Sequence, residues 1–289
     1  WRERILETNL MDRLKLAAKP LPNPQGIAAD FIVKNQREAA YMTIEQLASR
    51  VGTSTATVMR LATGLGYGGF TELIRELQEY LLSHPTLKDR FLQTDTTITE
   101  DELWVRVAEK HVQNIYATME LIDDRSLAHA VELIENAGRI YLIGIKACYQ
   151  AASYLYLGLH RLLQNCELID SPADDLAASL HAISPGDLLI GFTLPRYKSP
   201  VSKALSIARS RGAGTIAVTD GYLSPAAKEA DVLLPFCYEA LSFQYSPCAA
   251  LVIADYLITA VSNRRPERTA EALDGVEAIN AQLQEPQPR

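Results

Sequence analysis

The sequence predicts an all-α head followed by an α/β body. Three observations carry this. Residues 43–70 hold two short helical patterns separated by a glycine. Beyond Arg139 the rhythm changes to short continuous apolar runs. Helical patterns lie between most of those runs, which is the arrangement of a parallel sheet covered on both faces.

The head is organised around Thr43–Phe70. Thr43 and Gln46 have the spacing of a capping box, and Ile44, Leu47, Ala48 and Val51 form one apolar helical stripe. Gly52 follows, where a left-handed backbone is cheapest. Ser54 caps a second helix in which Val58, Leu61 and Leu65 share a face, with Ala48 and Ala56 as small residues at the crossing. Two helices joined by a tight glycine turn are a helix-turn-helix. Its second helix is expected to turn Thr55, Thr57, Met59, Arg60 and Thr63 outward. Hydroxyls and a guanidinium suit phosphates and base edges. Ser54, Thr55, Thr57, Arg60 and Thr63 are therefore the candidate contacts to double-stranded DNA; an ordinary helical hairpin with a solvated face is the plainer alternative.

Around this core, residues 1–19 read as an amphipathic helix broken by prolines at 20, 22 and 24. A helix through Ile27, Ala28, Phe31 and Ile32 follows, and Thr71 is placed to cap another carrying Leu73, Ile74, Leu77 and Leu81. These make a domain over 1–82. The polar, turn-rich stretch 83–100 reads as a linker. A long helix from about Asp101 to Ile122 and another from Ser126 to Asn136 lead into the body, 101–265. Its strands are expected at 139–144, 187–192, 214–220 and 231–235, with a weaker one at 166–170. Residues 266–289 read as a loosely held tail.

Composition narrows the classes. The 289 residues are 48% hydrophobic, which excludes a disordered chain, and the net charge is −7. The first 83 residues carry +1 and the remainder −8. A near-neutral head implies modest affinity for DNA from one copy and a need for two, so a homodimer or higher homo-oligomer is expected. Cys148, Cys166, Cys237 and Cys248 are too scattered for a zinc site or a disulfide framework and read as mostly buried thiols of a cytoplasmic protein. The five histidines have no metal-binding spacing, and neither metal nor cofactor is expected. The apolar stretch 247–261 contains Asp255 and is too short for a bilayer, so no membrane partner is expected.

The block Thr57-Val58, Arg60, Leu65-Gly66-Tyr67, Gly69-Phe70 and Leu73 resembles the helix-turn-helix of RpiR-type transcriptional regulators. The second half resembles their SIS (sugar isomerase) domain. Pro185-Gly186-Asp187, Thr219-Asp220, Leu223-Ser224-Pro225 and Ala230-Asp231 carry that likeness. The resemblance implies a flavodoxin-like, five-stranded parallel sheet in a three-layer sandwich that binds phosphosugars. It also implies a regulator, more often a repressor than an activator, that binds a DNA operator.

The family's phosphate cradle is altered here. Lys146 stands for the second glycine of its G-x-G-x-S loop and Cys148 for the serine. The second loop reads Thr193-Leu194-Pro195-Arg196-Tyr197-Lys198-Ser199 in place of S-x-S-G-x-T. Lys146, Cys148, Thr193, Arg196, Lys198 and Ser199 are the candidate ligand contacts. Their cationic character points to a phosphosugar or another small anionic metabolite. A phosphosugar isomerase would need a base, for which only Glu239 or His181 offers itself. A metabolite sensor acting through a protein partner is the third class.

Overall fold

A run of capped helices makes the first part of the chain and an alternation of strands and helices the second. The computed structural model describes residues 10–18, 23–83, 85–94, 97–170, 173–195 and 200–284. Contacts divide the chain into two units, Trp1–Thr86 and Leu87–Arg289.

In the first unit, α1 (Leu10–Ala18) buries Leu10, Met11 and Leu14. The part of the expected N-terminal helix before Leu10 lies outside the described residues. Helix α2 (Pro24–Lys34) starts where Asn23 accepts a hydrogen bond from the Gly26 amide, with proline at its first position. It turns Ala28, Ala29 and Ile32 inward and leaves Ile27 exposed. A short α3 (Gln36–Ala39) leads to α4 (Ile44–Arg50), which begins in the expected Thr43/Gln46 capping box. Gly52 has φ +68°, and the Thr53 amide donates to Ala48 O at 2.8 Å, so a Schellman turn ends α4. Helix α5 (Thr55–Gly64) is capped by Ser54. A second such turn at Gly66 (φ +94°) leads to α6 (Phe70–Ser83), which starts two residues earlier than a Thr71 cap requires, so Thr71 lies inside the helix. One core gathers Leu47, Ala48, Val58, Leu61, Leu65, Leu73 and Leu77 from these helices.

The second unit begins with α7 (Leu87–Leu92), a helix inside the stretch expected to be linker. Next come α8 (Glu100–Leu121) and α9 (Asp124–Asn136), the latter capped by Asp123. Strands β1 (Ile140–Gly144), β2 (Cys166–Ile169), β3 (Leu188–Phe192), β4 (Gly214–Thr219) and β5 (Val232–Pro235) form one parallel sheet in the order β2-β1-β3-β4-β5. Between them run α10 (Ala147–Leu163), α11 (Ala173–Ala182), α12 (Val201–Ser210) and a 3-10 turn at Ala227–Glu229. The chain then forms α13 (Cys248–Arg264) and α14 (Pro266–Gln284).

Alternation along each strand builds the three layers. Ile140, Leu142, Leu188, Ile190, Ile216 and Val218 face a core shared with α9, α10 and α13. Tyr141, Ile143, Leu189 and Ala217 face the opposite core with α11 and α12.

Of the expected loose tail, residues 266–284 are instead helix α14, and 285–289 lie outside the described residues. The joint just before it is anchored, where the half-buried Glu135 carboxylate receives Arg264, the last residue of α13, at 2.7 Å and Arg265 at 3.6 Å. Thr269 also donates to Ser262 O. Among the cysteines only Cys148 is fully buried; the other three are half-buried, and all four are free. Among the described residues no helix is long and apolar enough to cross a membrane.

Candidate functional site

Two places concentrate the polar residues picked out from the sequence. The first is the open face of α5. Thr55, Met59, Arg60 and Thr63 are exposed there, as is Ser54 just before the helix. Thr57 departs from the expectation. It is 6% exposed and lies on the inward face with Val58, Leu61 and Ala62. The reason is the cap: Ser54 accepts from the Thr57 amide at 3.2 Å, and the two hydroxyls lie 3.0 Å apart. Three positions past its cap, this small polar side chain is buried yet satisfied locally. Ala56, expected at the crossing, is exposed, and Ala62 takes the buried place.

Arg60 has no carboxylate within ion-pair distance among the described residues. Its Nη2 donates instead to Thr57 Oγ1 at 3.2 Å. Other cations of this unit are engaged: Arg13 with Glu76, Lys34 with Asp30, Arg50 with Glu38. The Thr63 hydroxyl lies 3.2 Å from both Met59 O and Arg60 O, so its proton is held by the helix backbone while its oxygen still accepts.

The second place is a cavity of about 570 Å³ at the carboxyl edge of the sheet. Gly144 ends β1 and pairs with Phe192, which ends β3. The loops leaving these two adjacent strands run to opposite layers, one into α10 and one toward α12. That divergence is the switch point where ligands of such sheets sit. Lys146, Cys148 and Thr193 line the cavity together. Arg196, Lys198 and Ser199 lie outside the described residues.

Lys146 adopts φ +59° and ψ −123°, a conformation natural to glycine and strained for lysine. The backbone there has a shape that glycine adopts freely, with a cation added at the start of α10. No side chain caps α10; its Cys148 and Tyr149 amides turn back to Ile145 O and Lys146 O at 3.3 and 3.1 Å, so what the helix start offers an anion is the positive end of its dipole. Gly144 is required by closeness: a Cβ there would lie 2.5 Å from Cys148 O. Cys148 is 3% exposed, and burial, helped by Asp220, pushes its thiol up to about 12. It is a neutral, packed thiol.

Three polar lining residues have no counterpart among the sequence candidates: Arg90 of α7, Gln244 and Tyr245. The Arg90 guanidinium lies 3.9 Å above the Tyr245 ring. Tyr245 packs edge-on against Tyr238, and Tyr238 against Phe236 just past β5. Helix α8 fixes the same segment: Asn114 donates to Glu239 O at 2.7 Å, Thr118 accepts from the Cys237 amide, and Ser246 hydrogen-bonds His111. The cavity lining thus holds two cations and, among the described residues, no carboxylate.

Neither candidate base for an isomerase is in that lining. Glu239 pairs with Lys110 at 3.1 Å, and His181 lies in the last turn of α11. Thr219 and Ser224, part of the T-D and S-P likeness, are buried with their hydroxyls 2.9 Å apart and shape the loop after β4. Among the described residues no group of three or more His, Cys, Asp or Glu gathers to hold a metal.

A helix-turn-helix head and a five-stranded parallel body with a cavity at the switch point define a two-part regulator. Comparison with known proteins agrees. Residues 8–84 match the helix-turn-helix domain of the rpiR family, and residues 133–260 match the SIS domain. The chain belongs to the RpiR-type transcriptional regulators. It is 24% identical over 267 residues to the HTH-type transcriptional regulator HexR of Pseudomonas aeruginosa, covering 89% of this chain and 90% of that one. The sugar isomerase domain of an RpiR transcription factor from Sphaerobacter thermophilus superposes with a TM-score of 0.60 at 28% identity, over 61% of this chain and 99% of that one. The Vibrio vulnificus NanR protein, solved in complex with ManNAc-6P, shares the fold at 24% identity with a TM-score of 0.56, over 96% of this chain and 100% of that one.

Proposed function

We propose that this regulator is a cytoplasmic, homodimeric repressor that binds an operator through α5 and responds to a small anionic metabolite, a phosphosugar first among the candidates, held in the body's cavity. Ser54, Thr55, Arg60 and Thr63 are the assigned DNA contacts, with Thr57 acting behind them as the support for Arg60. In helix-turn-helix docking the start of the second helix enters the major groove, and a dimer reads two half-sites about one DNA turn apart. The exposed apolar side chains of α8, among them Trp104, Tyr116 and Met119, support association of two copies.

The observation that carries the ligand reading is the cavity's charge. Lys146 and Arg90 face a space without a lining carboxylate, in a part of the chain that is acidic overall. Lys146 and Thr193, at the positive end of the α10 dipole, are the assigned ligand contacts, with Cys148 packed behind them. Arg196, Lys198 and Ser199 are proposed to complete the site from the second loop. A binding role without turnover is favoured over the isomerase, because the described lining offers no carboxylate or imidazole to move a proton between carbons.

Selection of bound duplexes from a random pool tests the DNA part, and a thermal-shift screen with phosphosugars and small organic acids tests the ligand part. Enrichment of an inverted repeat and a raised melting temperature with at least one anion are expected. No enrichment, together with measurable turnover of a phosphosugar, would favour the isomerase.

A further inference from the structure

Arg90 carries a feature that the family likeness does not account for. Its Nε and Nη1 are buried without a hydrogen-bond partner among the described residues. The guanidinium carbon lies 3.9 Å over the centre of the Tyr245 ring, and that ring is itself braced by Tyr238 at 4.8 Å. The aromatic contact positions the cation without neutralising it. Buried guanidinium nitrogens with no acidic partner among the described residues are a costly arrangement. It opens onto the same cavity as Lys146.

We propose that Arg90 is an anion-binding residue of this cavity and grips the phosphoryl group of a phosphomonoester from the connecting segment. The inference rests on the reading of the cavity as an anion site and deepens it. Two facing cations match a phosphomonoester, whose charge near neutral pH approaches −2, better than a monocarboxylate. The guanidinium fork makes paired hydrogen bonds to phosphate oxygens that a lysine cannot reproduce.

The position of Arg90 also gives the contact a consequence. Helix α7 starts at Leu87, immediately after Thr86, the last residue of the first unit. A bound phosphoryl group therefore ties the start of the second unit to the cavity. Ligand binding and the hold on the connecting segment are coupled free energies, and each strengthens the other.

The test uses the full chain and inorganic phosphate as probe, with glucose 6-phosphate and glucose in parallel, followed by calorimetry and by hydrogen exchange of the Leu87–Leu92 amides. Wild type is expected to bind phosphate and to gain protection in α7. Arg90→Gln should lose about tenfold or more in affinity and show no gain in protection. Arg90→Lys should fall between the two. Without phosphate, Arg90→Gln should melt at or above the wild-type temperature, because it removes an unpaired buried charge; a purely structural arginine would lower it. Phosphate binding by Arg90→Gln within twofold of wild type would overturn the assignment and leave the cavity reading standing. Failure of wild type to bind phosphate would remove the cavity reading and Arg90's role with it.

Discussion

Thr57 Oγ1 accepts a hydrogen bond from Arg60 Nη2 at 3.2 Å, so a buried hydroxyl steadies the exposed guanidinium of α5. The pair links the cap of the helix to its outward face, because the same hydroxyl lies 3.0 Å from Ser54 Oγ.

Replacing Arg60 with alanine should cut affinity for the selected operator by roughly tenfold or more, the scale of one lost base or phosphate contact. Melting should stay at the wild-type value. Thr57→Val keeps the shape and removes the acceptor; it should cost roughly 1 kcal/mol in stability and weaken operator binding less than Arg60→Ala does. A gel-shift midpoint unchanged in Arg60→Ala would take α5's guanidinium off the contact surface.

Lys146 sits in a glycine conformation, so the substitution Lys146→Gly separates its two roles. Relief of the strain, on the order of 1–3 kcal/mol, is partly offset by the freedom glycine gains in the unfolded chain, up to about 1 kcal/mol. Lys146→Gly should therefore be at least as stable as wild type in urea, and more stable than Lys146→Ala. Both variants should respond less to phosphate. A Lys146→Gly protein less stable than Lys146→Ala would show that the backbone there is unstrained.

Gly144 and Gly52 are needed for different reasons, and alanine should show it. At Gly144 a Cβ meets Cys148 O at 2.5 Å, and overpacking against backbone is expected to cost about 1–3 kcal/mol. At Gly52 nothing lies within 4 Å of the added carbon, and only the positive φ of 68° resists, at roughly 1 kcal/mol. Urea denaturation of the two variants checks the order. The Gly144 variant should also lose the phosphate response.

The Cys148 thiol, pushed up to about 12 by burial, sets a pH dependence. Its folded value lies above the unfolded one, near 8.5. Stability from this group is fully present below the unfolded value and is lost as pH rises toward the folded one. Cys148→Ala should therefore flatten the decline in stability above about pH 9. In the native protein at pH 8, iodoacetamide should leave Cys148 unmodified. Rapid native alkylation there would contradict its burial.

Much of this architecture was legible in the sequence, for identifiable reasons. The Thr43/Gln46 box and Gly52 act within one turn of chain, so spacing alone locates α4 and its stop. Runs such as Ile140–Gly144 are apolar on both faces because both faces are covered, which is why they read as inner strands. Thr57 reads as exposed because it is polar, whereas the neighbouring cap already satisfies it inside the domain. Helix α14 was missed because its surface is mostly solvated and carries no continuous apolar stripe. Its anchor, Glu135, is 129 residues before Arg264. The cavity's second cation escaped notice because nothing local to Arg90 reveals Tyr245 far along the chain. Only the fold brings α7 to the loop after β5.

The most direct test follows fluorescence anisotropy of a selected operator duplex titrated with the full chain, with and without the phosphosugar that raises its melting temperature. A shift in operator affinity with that ligand is predicted for wild type, and the shift should vanish in Lys146→Ala while operator binding persists. Operator affinity that is the same with and without a ligand shown to be bound would contradict the account.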